Sequence, residues 1–205
     1  MNRERQIAII ATGNLHKLDE IKKILSEFPF DIKSMKDVNL EGLEIVEDGN
    51  TFEENALIKA RTVMKKTGYV TIADDSGLEV DCINNQPGIY SARFAGENAN
   101  DAKNNEKLLN MMKDIPENER GARFVCAMAV VFPNGDELVL RGECKGIIGQ
   151  SPRGKQGFGY DPLFIVPQYN LTFAELGEEL KNRISHRAVA LTKLNKLLED
   201  KLRSE

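Results

Sequence analysis

Two adjacent carboxylates, Asp74 and Asp75, follow the apolar segment 69–73 and could support metal or acid–base chemistry. Mg²⁺ prefers oxygen ligands and usually takes one or two carboxylates, with water and substrate phosphates completing its shell. Neighbouring carboxylates point in different directions, so one can hold a metal ion while the other takes a proton from water. The structural alternative is a polar turn over Asp74-Asp75-Ser76-Gly77.

Other acidic residues lie earlier in the chain. Glu54 belongs to the pattern Thr51-x-x-Glu54 at the start of a helical segment. It could ligate a metal, but a capping box explains a glutamate at this position without one. The loop 40–50 is also acidic, and we interpret it as a solvated loop rather than a metal site. Its acidic residues are Glu41, Glu44, Glu47 and Asp48.

A candidate phosphate-binding segment lies between the first predicted strand and the first predicted helix. It reads Thr12-Gly13-Asn14-Leu15-His16-Lys17. A helix N-terminus offers unpaired N–H groups and partial positive charge, and Lys17 adds a full charge. The segment is not a GxxxxGK[ST] loop, which excludes the ordinary P-loop. The alternative is that Thr12 or Asn14 merely caps the helix and Lys17 is a solvated surface lysine.

Two further segments have the composition of a binding site for a heterocyclic base. The first is Gly157-Phe158-Gly159-Tyr160-Asp161-Pro162, in which an aromatic ring could stack on a base and Asp161 could accept hydrogen bonds from ring N–H groups. The alternative is that the ring is a packing plug.

The second combines Lys181 with Ser185-His186-Arg187. If Ser185 caps the last helix, His186 and Arg187 lie in a first turn that disfavours cations, and a nearby anion would relieve that conflict. Either side chain could donate to a ligand carbonyl. The alternative is an ordinary solvated surface.

The pattern of apolar residues predicts an α/β fold with a mixed sheet. Asn134-Gly135 between two extended runs indicates a hairpin, so part of the sheet is antiparallel. The predicted strands are 7–12, 30–34, 69–73, 78–82, 122–132, 137–145 and 163–166. The predicted helices are 16–28, 51–68, 100–112, one beginning at Thr172 with the capping-box pattern Thr172-x-x-Glu175, and 185–202.

Composition narrows the function classes. The chain has 205 residues and a net charge of −4, which argues against binding nucleic acid by broad phosphate neutralisation. The longest apolar run, Phe124–Phe132, is far shorter than the ~20 residues that span a bilayer. We therefore expect a cytoplasmic protein with no membrane partner. Three cysteines without a CxxC pair, and two histidines, make a disulfide framework or a zinc site unlikely.

Taken together, these segments resemble the inosine triphosphate pyrophosphatase family over nearly the whole chain. The segments that carry the resemblance are TGNLHK (12–17), TFEENALIKA (51–60), ADDSGLEVD (73–81), PGIYSARFAG (87–96), GFGYDPLF (157–164) and ISHRAVAL (184–191). The resemblance implies one domain over residues 1–205, with an elongated mixed β-sheet and helices in two lobes around a nucleotide-binding cleft. It also implies a homodimer and Mg²⁺-dependent cleavage of noncanonical purine nucleoside triphosphates (ITP, dITP and XTP) to the monophosphate and pyrophosphate.

The resemblance also implies roles for individual residues. Glu54 and Asp75 would hold the metal, and Asp75 would be the catalytic proton acceptor. Substrate would be bound by Thr12, Gly13, Asn14, Leu15, His16, Lys17, Ser76, Phe158, Gly159, Tyr160, Asp161, Lys181, His186 and Arg187. Donors from His186 or Arg187 would favour the C6 carbonyl of hypoxanthine and xanthine over the amino group of adenine.

Two other functions fit the same residues. A nucleotide pyrophosphatase acting on modified pyrimidine or methylated substrates would use similar carboxylates. A nucleotide sensor without catalytic activity would bind inosine triphosphate with Mg²⁺ and release no pyrophosphate.

Overall fold

The computed structural model describes residues 6–25 and 30–203, and it has a mixed α/β fold. Its strands are β1 (Gln6–Ile10), β2 (Phe30–Ser34), β3 (Val70–Val80), β4 (Gln86–Pro87), β5 (Gly121–Val131), β6 (Glu137–Ile148), β7 (Phe164–Val166) and β8 (Leu171–Thr172). Its helices are α1 (Leu15–Leu25), α2 (Phe52–Thr67), α3 (Asp101–Met111), α4 (Glu178–Ile184) and α5 (His186–Arg203). None of the described helices is long and apolar enough to cross a membrane.

The described strands form one mixed sheet in the order β2-β1-β3-β5-β6-β7-β8, with β4 paired to β3. Strand β1 runs parallel to both β2 and β3, whereas β4, β7 and β8 join their neighbours in antiparallel pairs. The register places Ala8 opposite Val70 and Ile10 opposite Ile72. The predicted fold class and the predicted mixture of strand directions are therefore confirmed.

The chain divides into two compact units, each with its own apolar core. The first comprises the described residues up to Asp75, then 126–142 and the chain from Ala190; the second comprises 76–125 and 143–189. The first core includes the fully buried side chains of Ile10, Ile21, Ile72, Met128 and Leu194. The second includes those of Leu78, Leu108, Met112, Phe164 and Phe173, of which Phe173 is 1% exposed. Cys82, Cys126 and Cys144 form no disulfide bond.

Several predicted helix ends are confirmed by their caps. Thr51 Oγ1 accepts the Glu54 amide at the start of α2, and Gly68 closes that helix with a left-handed backbone. Asn100 caps α3 and Ser185 Oγ accepts the Ala188 amide at the start of α5. Helix α1 begins with Asn14 Oδ1 accepting the Lys17 amide. Predicted helix residues 26–28, and the side chains of Leu198 and Leu202 in the last helix, lie outside the described residues.

Two predicted elements are wrong. Asp74-Asp75-Ser76-Gly77 is not a turn, because β3 runs without a break from Val70 to Val80. No helix begins at Thr172, which pairs with Ile165 as part of β8. Its amide donates to Glu175 Oε2, so the capping-box residues close a turn, and α4 begins only at Glu178.

Candidate active site

Asp75 lies in the middle of β3 and is the best-supported candidate for acid–base chemistry. Its side chain is 13% exposed, and Lys59 Nζ lies 3.5 Å from its Oδ1. Burial raises the pKa of the Asp75 carboxyl above its ordinary value, although Lys59 and Lys17 act to lower it. A carboxylate with a raised pKa is a better proton acceptor than a free aspartate, so the position suits a general base.

Asn55 on α2 holds the same carboxylate from the other oxygen. Its Nδ2 donates to Asp75 Oδ2 over 3.2 Å, while its Oδ1 accepts the Gly49 amide over 2.9 Å. The side chain of Asn55 is buried, at 2% exposure. A Cβ on Gly49 would come within 2.7 Å of both Asn55 Oδ1 and the Glu54 Cβ, so only glycine allows this approach of the loop to α2.

Lys59, one turn after Asn55, was not among the residues predicted from the sequence. Its Nζ lies 2.7 Å from Glu47 Oε2 and bridges that carboxylate to Asp75. Burial acts to lower the pKa of Lys59, but the charges of Asp75, Asp74 and Glu47 outweigh it and the pKa is raised. The i, i+4 spacing from Asn55 was the available signal, since it places both side chains on one face of α2.

Glu47 was interpreted as part of a solvated loop, and the structure corrects this. The side chain is half-buried and forms an ion pair with Lys59, whereas Glu41, Glu44 and Asp48 in the same loop are exposed. An isolated loop has no periodicity from which the burial of one glutamate could be read, and the partner is twelve residues away on a helix.

Lys17 and Asp74 form another charged pair in this unit. Lys17 Nζ lies 3.0 Å from Asp74 Oδ2, with the two side chains 15% and 0% exposed. Lys17 is therefore not a solvated surface lysine, although Asn14 does cap the helix. The segment from Gly13 to His16 remains exposed at the start of α1, with Leu15 at 72%.

Glu54 is engaged in capping. Its Oε2 accepts the Asn50 amide over 2.6 Å, and its own amide donates to Thr51 Oγ1 over 3.1 Å. The predicted cap at Thr51 is therefore confirmed, while the Glu54 carboxylate accepts from the residue before the cap. Among the residues that the structure describes, no three His, Cys, Asp or Glu side chains are grouped closely enough to hold a metal ion by themselves.

In the second unit, the structure brings Phe158, Asp161 and Lys181 together. Asp161 Oδ2 accepts the Phe158 amide over 3.0 Å and lies 2.7 Å from Lys181 Nζ, which is 4.9 Å from the centroid of the Phe158 ring. A Cβ on Gly157 would overlap Asp161 Oδ2, so the turn requires glycine there. Phe158 is half-buried between Gly157 and Gly159, and both glycines have positive φ.

Lys181, His186 and Arg187 are buried, so the solvated-surface alternative is wrong for all three. Their exposed fractions are 6%, 5% and 1%. The His186 ring stacks on Phe124 with 4.9 Å between the centroids and an interplanar angle of 16°. Tyr160 is also buried and donates through its hydroxyl to the Ser91 carbonyl, while Ser76 is half-buried on β3. The buried charges of Lys181 and Arg187 have to be matched by acceptors or negative charge.

The chain is thus a mixed α/β protein in which an interior strand carries a buried carboxylate, with the Asn55 amide and the Lys59 ammonium on either side of it. The chain belongs to the Ham1 family, whose sequence model matches residues 8–197.

Relatives and solved structures agree with this family. The dITP/XTP pyrophosphatase of Bacillus subtilis (strain 168) is 50% identical over 192 residues, covering 94% of this chain and 96% of the relative. The dITP/XTP pyrophosphatase of Clostridium perfringens is 47% identical, covering 91% of this chain and 94% of the relative. The Ham1 protein of Staphylococcus aureus superposes with a TM-score of 0.87 at 39% identity, covering 96% of this chain and all of the other.

Proposed function

We propose that this protein hydrolyses the noncanonical purine nucleoside triphosphates ITP, dITP and XTP to the monophosphate and pyrophosphate. Support comes from relatives that carry the name dITP/XTP pyrophosphatase at 47% and 50% identity over more than nine-tenths of this chain. The structural observation that carries the chemistry is Asp75, a carboxylate with a raised pKa that is held by Asn55 and flanked by Lys59.

In the proposed reaction, Asp75 accepts a proton from water as the water oxygen forms a bond to the α-phosphorus. The bond between the α-phosphorus and the oxygen that bridges it to the β-phosphorus breaks, and pyrophosphate leaves with that electron pair. Thr12, Gly13, Asn14, Leu15, His16 and Lys17 bind the triphosphate in this proposal, and Ser76 contacts substrate. Lys17 and Lys59 add positive charge that stabilises the negative charge developing on the leaving group.

Magnesium belongs to the proposal because the donors fit it. Asp75, Glu54 and Glu47 offer carboxylate oxygens, which Mg²⁺ prefers, and two protein carboxylates with phosphates and water make a common Mg²⁺ shell. We propose Asp75 and Glu54 as ligands. The fit of Glu54 carries a cost, because its Oε2 already accepts the Asn50 amide. When bound, the ion would neutralise charge on the phosphate oxygens.

Selectivity for the base is proposed to depend on the second group of residues. Phe158, Gly159, Tyr160 and Asp161 hold the base, with Lys181 bound to Asp161. Buried donors on His186 or Arg187 would pair with the C6 carbonyl of hypoxanthine and xanthine, and adenine would leave them unmatched. Replacing Arg187 with alanine should therefore reduce activity on ITP more than on other nucleotides, and an equal loss would make Arg187 a phosphate contact.

One experiment separates this function from its alternatives. The purified protein is given ITP, dITP, XTP, ATP, GTP and modified pyrimidine triphosphates with Mg²⁺, and pyrophosphate and orthophosphate are measured separately. Pyrophosphate from the inosine and xanthosine nucleotides is expected. Orthophosphate alone would mean γ-phosphate cleavage, preference for a modified pyrimidine would mean another substrate class, and ITP binding without product would mean a sensor.

We also infer that the protein acts in the cytoplasm as a homodimer, as the resemblance to this family implies. Light scattering coupled to size-exclusion chromatography at micromolar concentration measures the oligomeric state directly. A mass equal to one chain would contradict the dimer.

A further inference from the structure

Two side chains of helix α3 form hydrogen bonds to the turn that carries Phe158. Asp101 Oδ2 accepts the Gly159 amide over 2.7 Å, and Asn105 Nδ2 donates to the Gly159 carbonyl over 2.9 Å. The two side chains are four residues apart, so they lie one above the other on the same face of the helix. One face of α3 therefore satisfies both backbone groups of a single glycine.

The position of α3 is itself fixed by hydrogen bonds and by packing. Asn104, which lies between Asp101 and Asn105, is 3% exposed. Its side chain accepts the Ala95 amide over 2.8 Å and donates to the Ala92 carbonyl over 3.1 Å. Further along the helix, Leu108 is fully buried in the core of its unit. Asp101 and Asn105 thus connect the turn to an element whose position is set by packing.

The turn needs such a connection because its glycines allow the backbone to adopt several conformations. Gly157 and Gly159 flank Phe158 with φ values of 82° and 61°. Glycine loses more conformational freedom on folding than any other residue. A segment with two glycines therefore depends on hydrogen bonds from neighbouring residues to hold its backbone in one conformation. Within the turn, Asp161 accepts the Phe158 amide, whereas Gly159 is held by α3.

We propose that Asp101 and Asn105 are positioning residues that fix Gly159 and thereby set the orientation of the Phe158 ring, which holds the base with its C6 carbonyl towards the donors of His186 or Arg187. This rests on the proposed function, in which Phe158 contacts the purine. Losing either hydrogen bond lets the ring turn, so discrimination between purines falls. Triphosphate cleavage itself is carried by Asp75 and Lys17, which belong to the other compact unit.

The test is a pair of isosteric substitutions with opposite expected outcomes. Asp101→Asn keeps an oxygen that can accept the Gly159 amide, so the ratio of kcat/KM for ITP over ATP should stay within about twofold of wild type. Asn105→Asp replaces the donor with a carboxylate facing the Gly159 carbonyl, so the same ratio should fall by about fivefold or more. Asp101→Ala should behave like Asn105→Asp. Glu106→Gln, on an exposed residue of the same helix, is the matched control.

A second readout does not depend on activity. Hydrogen exchange of the Gly159 amide, followed by NMR, should accelerate in Asp101→Ala and remain close to wild type in Asp101→Asn and Glu106→Gln. An unchanged exchange rate in Asp101→Ala would show that Asp101 does not hold the Gly159 amide. Faster exchange with an unchanged ITP:ATP ratio would overturn the role of Asp101 and Asn105 in selectivity. If the wild-type protein releases no pyrophosphate from ITP, the proposed function and the selectivity role are both disproved. The exchange data would still show whether Asp101 holds the Gly159 amide.

Discussion

The side-chain amide of Asn55 donates a hydrogen bond over 3.2 Å to Oδ2 of Asp75, so a buried residue of α2 holds the carboxylate at the centre of β3. The same side chain accepts the Gly49 amide and joins the acidic loop to the site. Helix, strand and loop therefore meet at one asparagine.

Replacing Asn55 with alanine should lower the free energy of unfolding by about 1 to 3 kcal/mol. The substitution removes the Asn55 partner of a part-buried backbone N–H and of a buried carboxylate oxygen, and the loss of a hydrogen bond to a desolvated group is costly. Urea unfolding followed by circular dichroism measures the change. Asn110→Ala, on an exposed position of α3, is the control and should leave stability nearly unchanged. Equal stability of both variants would show that the Asn55 contacts contribute nothing.

Replacing Asp75 with asparagine should remove turnover, by about 100-fold or more, while nucleotide binding is retained. Pyrophosphate release and ITP binding by calorimetry are measured on the same preparation. Near-normal rates in this variant would disprove the role of Asp75 as the base.

The same variant should show how the Asp75 charge affects stability. Because the pKa of this carboxyl is raised in the folded protein, folding favours the protonated form. That stability is fully present below the unfolded pKa of about 4 and is lost as pH rises through the folded value. In EDTA, Asp75→Asn should melt at the wild-type temperature at low pH and above it at neutral pH. A melting temperature below wild type at neutral pH would mean that the ion pair with Lys59 outweighs burial.

The two candidate glutamates can be separated by matched amide substitutions. Glu54→Gln keeps an acceptor for the Asn50 amide but removes the charge, so the Mg²⁺ concentration for half-maximal activity should rise by about tenfold. Glu47→Gln removes the ion pair with Lys59 and should change that concentration less. If only Glu47→Gln raises the Mg²⁺ requirement, Glu47 replaces Glu54 in the proposed metal site.

Alanine at Gly157 and Gly159 should have unequal effects although both residues have positive φ. At Gly159 a Cβ meets no other atom within 4 Å, so Gly159→Ala should cost only the left-handed backbone, about 1 to 2 kcal/mol. At Gly157 the Cβ would overlap Asp161 Oδ2, so Gly157→Ala should cost about 2 kcal/mol more. Chemical unfolding of the two variants measures the difference. Equal losses would mean that Asp161 can move away from the turn without cost.

Local patterns were sufficient for the α/β class and for most elements. The caps at Thr51 and Ser185 and the helix start at Asn100 lie where the sequence predicted them, because capping is decided within one turn of chain. The prediction at Asp74–Gly77 failed because pairing overrode a run of turn-forming residues. The Thr172 prediction failed because Thr172 donates to the Arg153 carbonyl and pairs in the sheet, contacts that lie outside its own segment.

The sequence by itself determined the chemical types of the candidate site, because carboxylates, lysines and a glycine-flanked aromatic ring can be read directly from it. Only the tertiary structure decided which of them meet. Lys59 reaches Asp75 from a helix and pairs with Glu47 of the acidic loop. Asp101 and Asn105 reach Gly159 across more than fifty residues. Such contacts depend on packing between distant segments, and no local periodicity encodes the distance between two side chains that far apart in the chain.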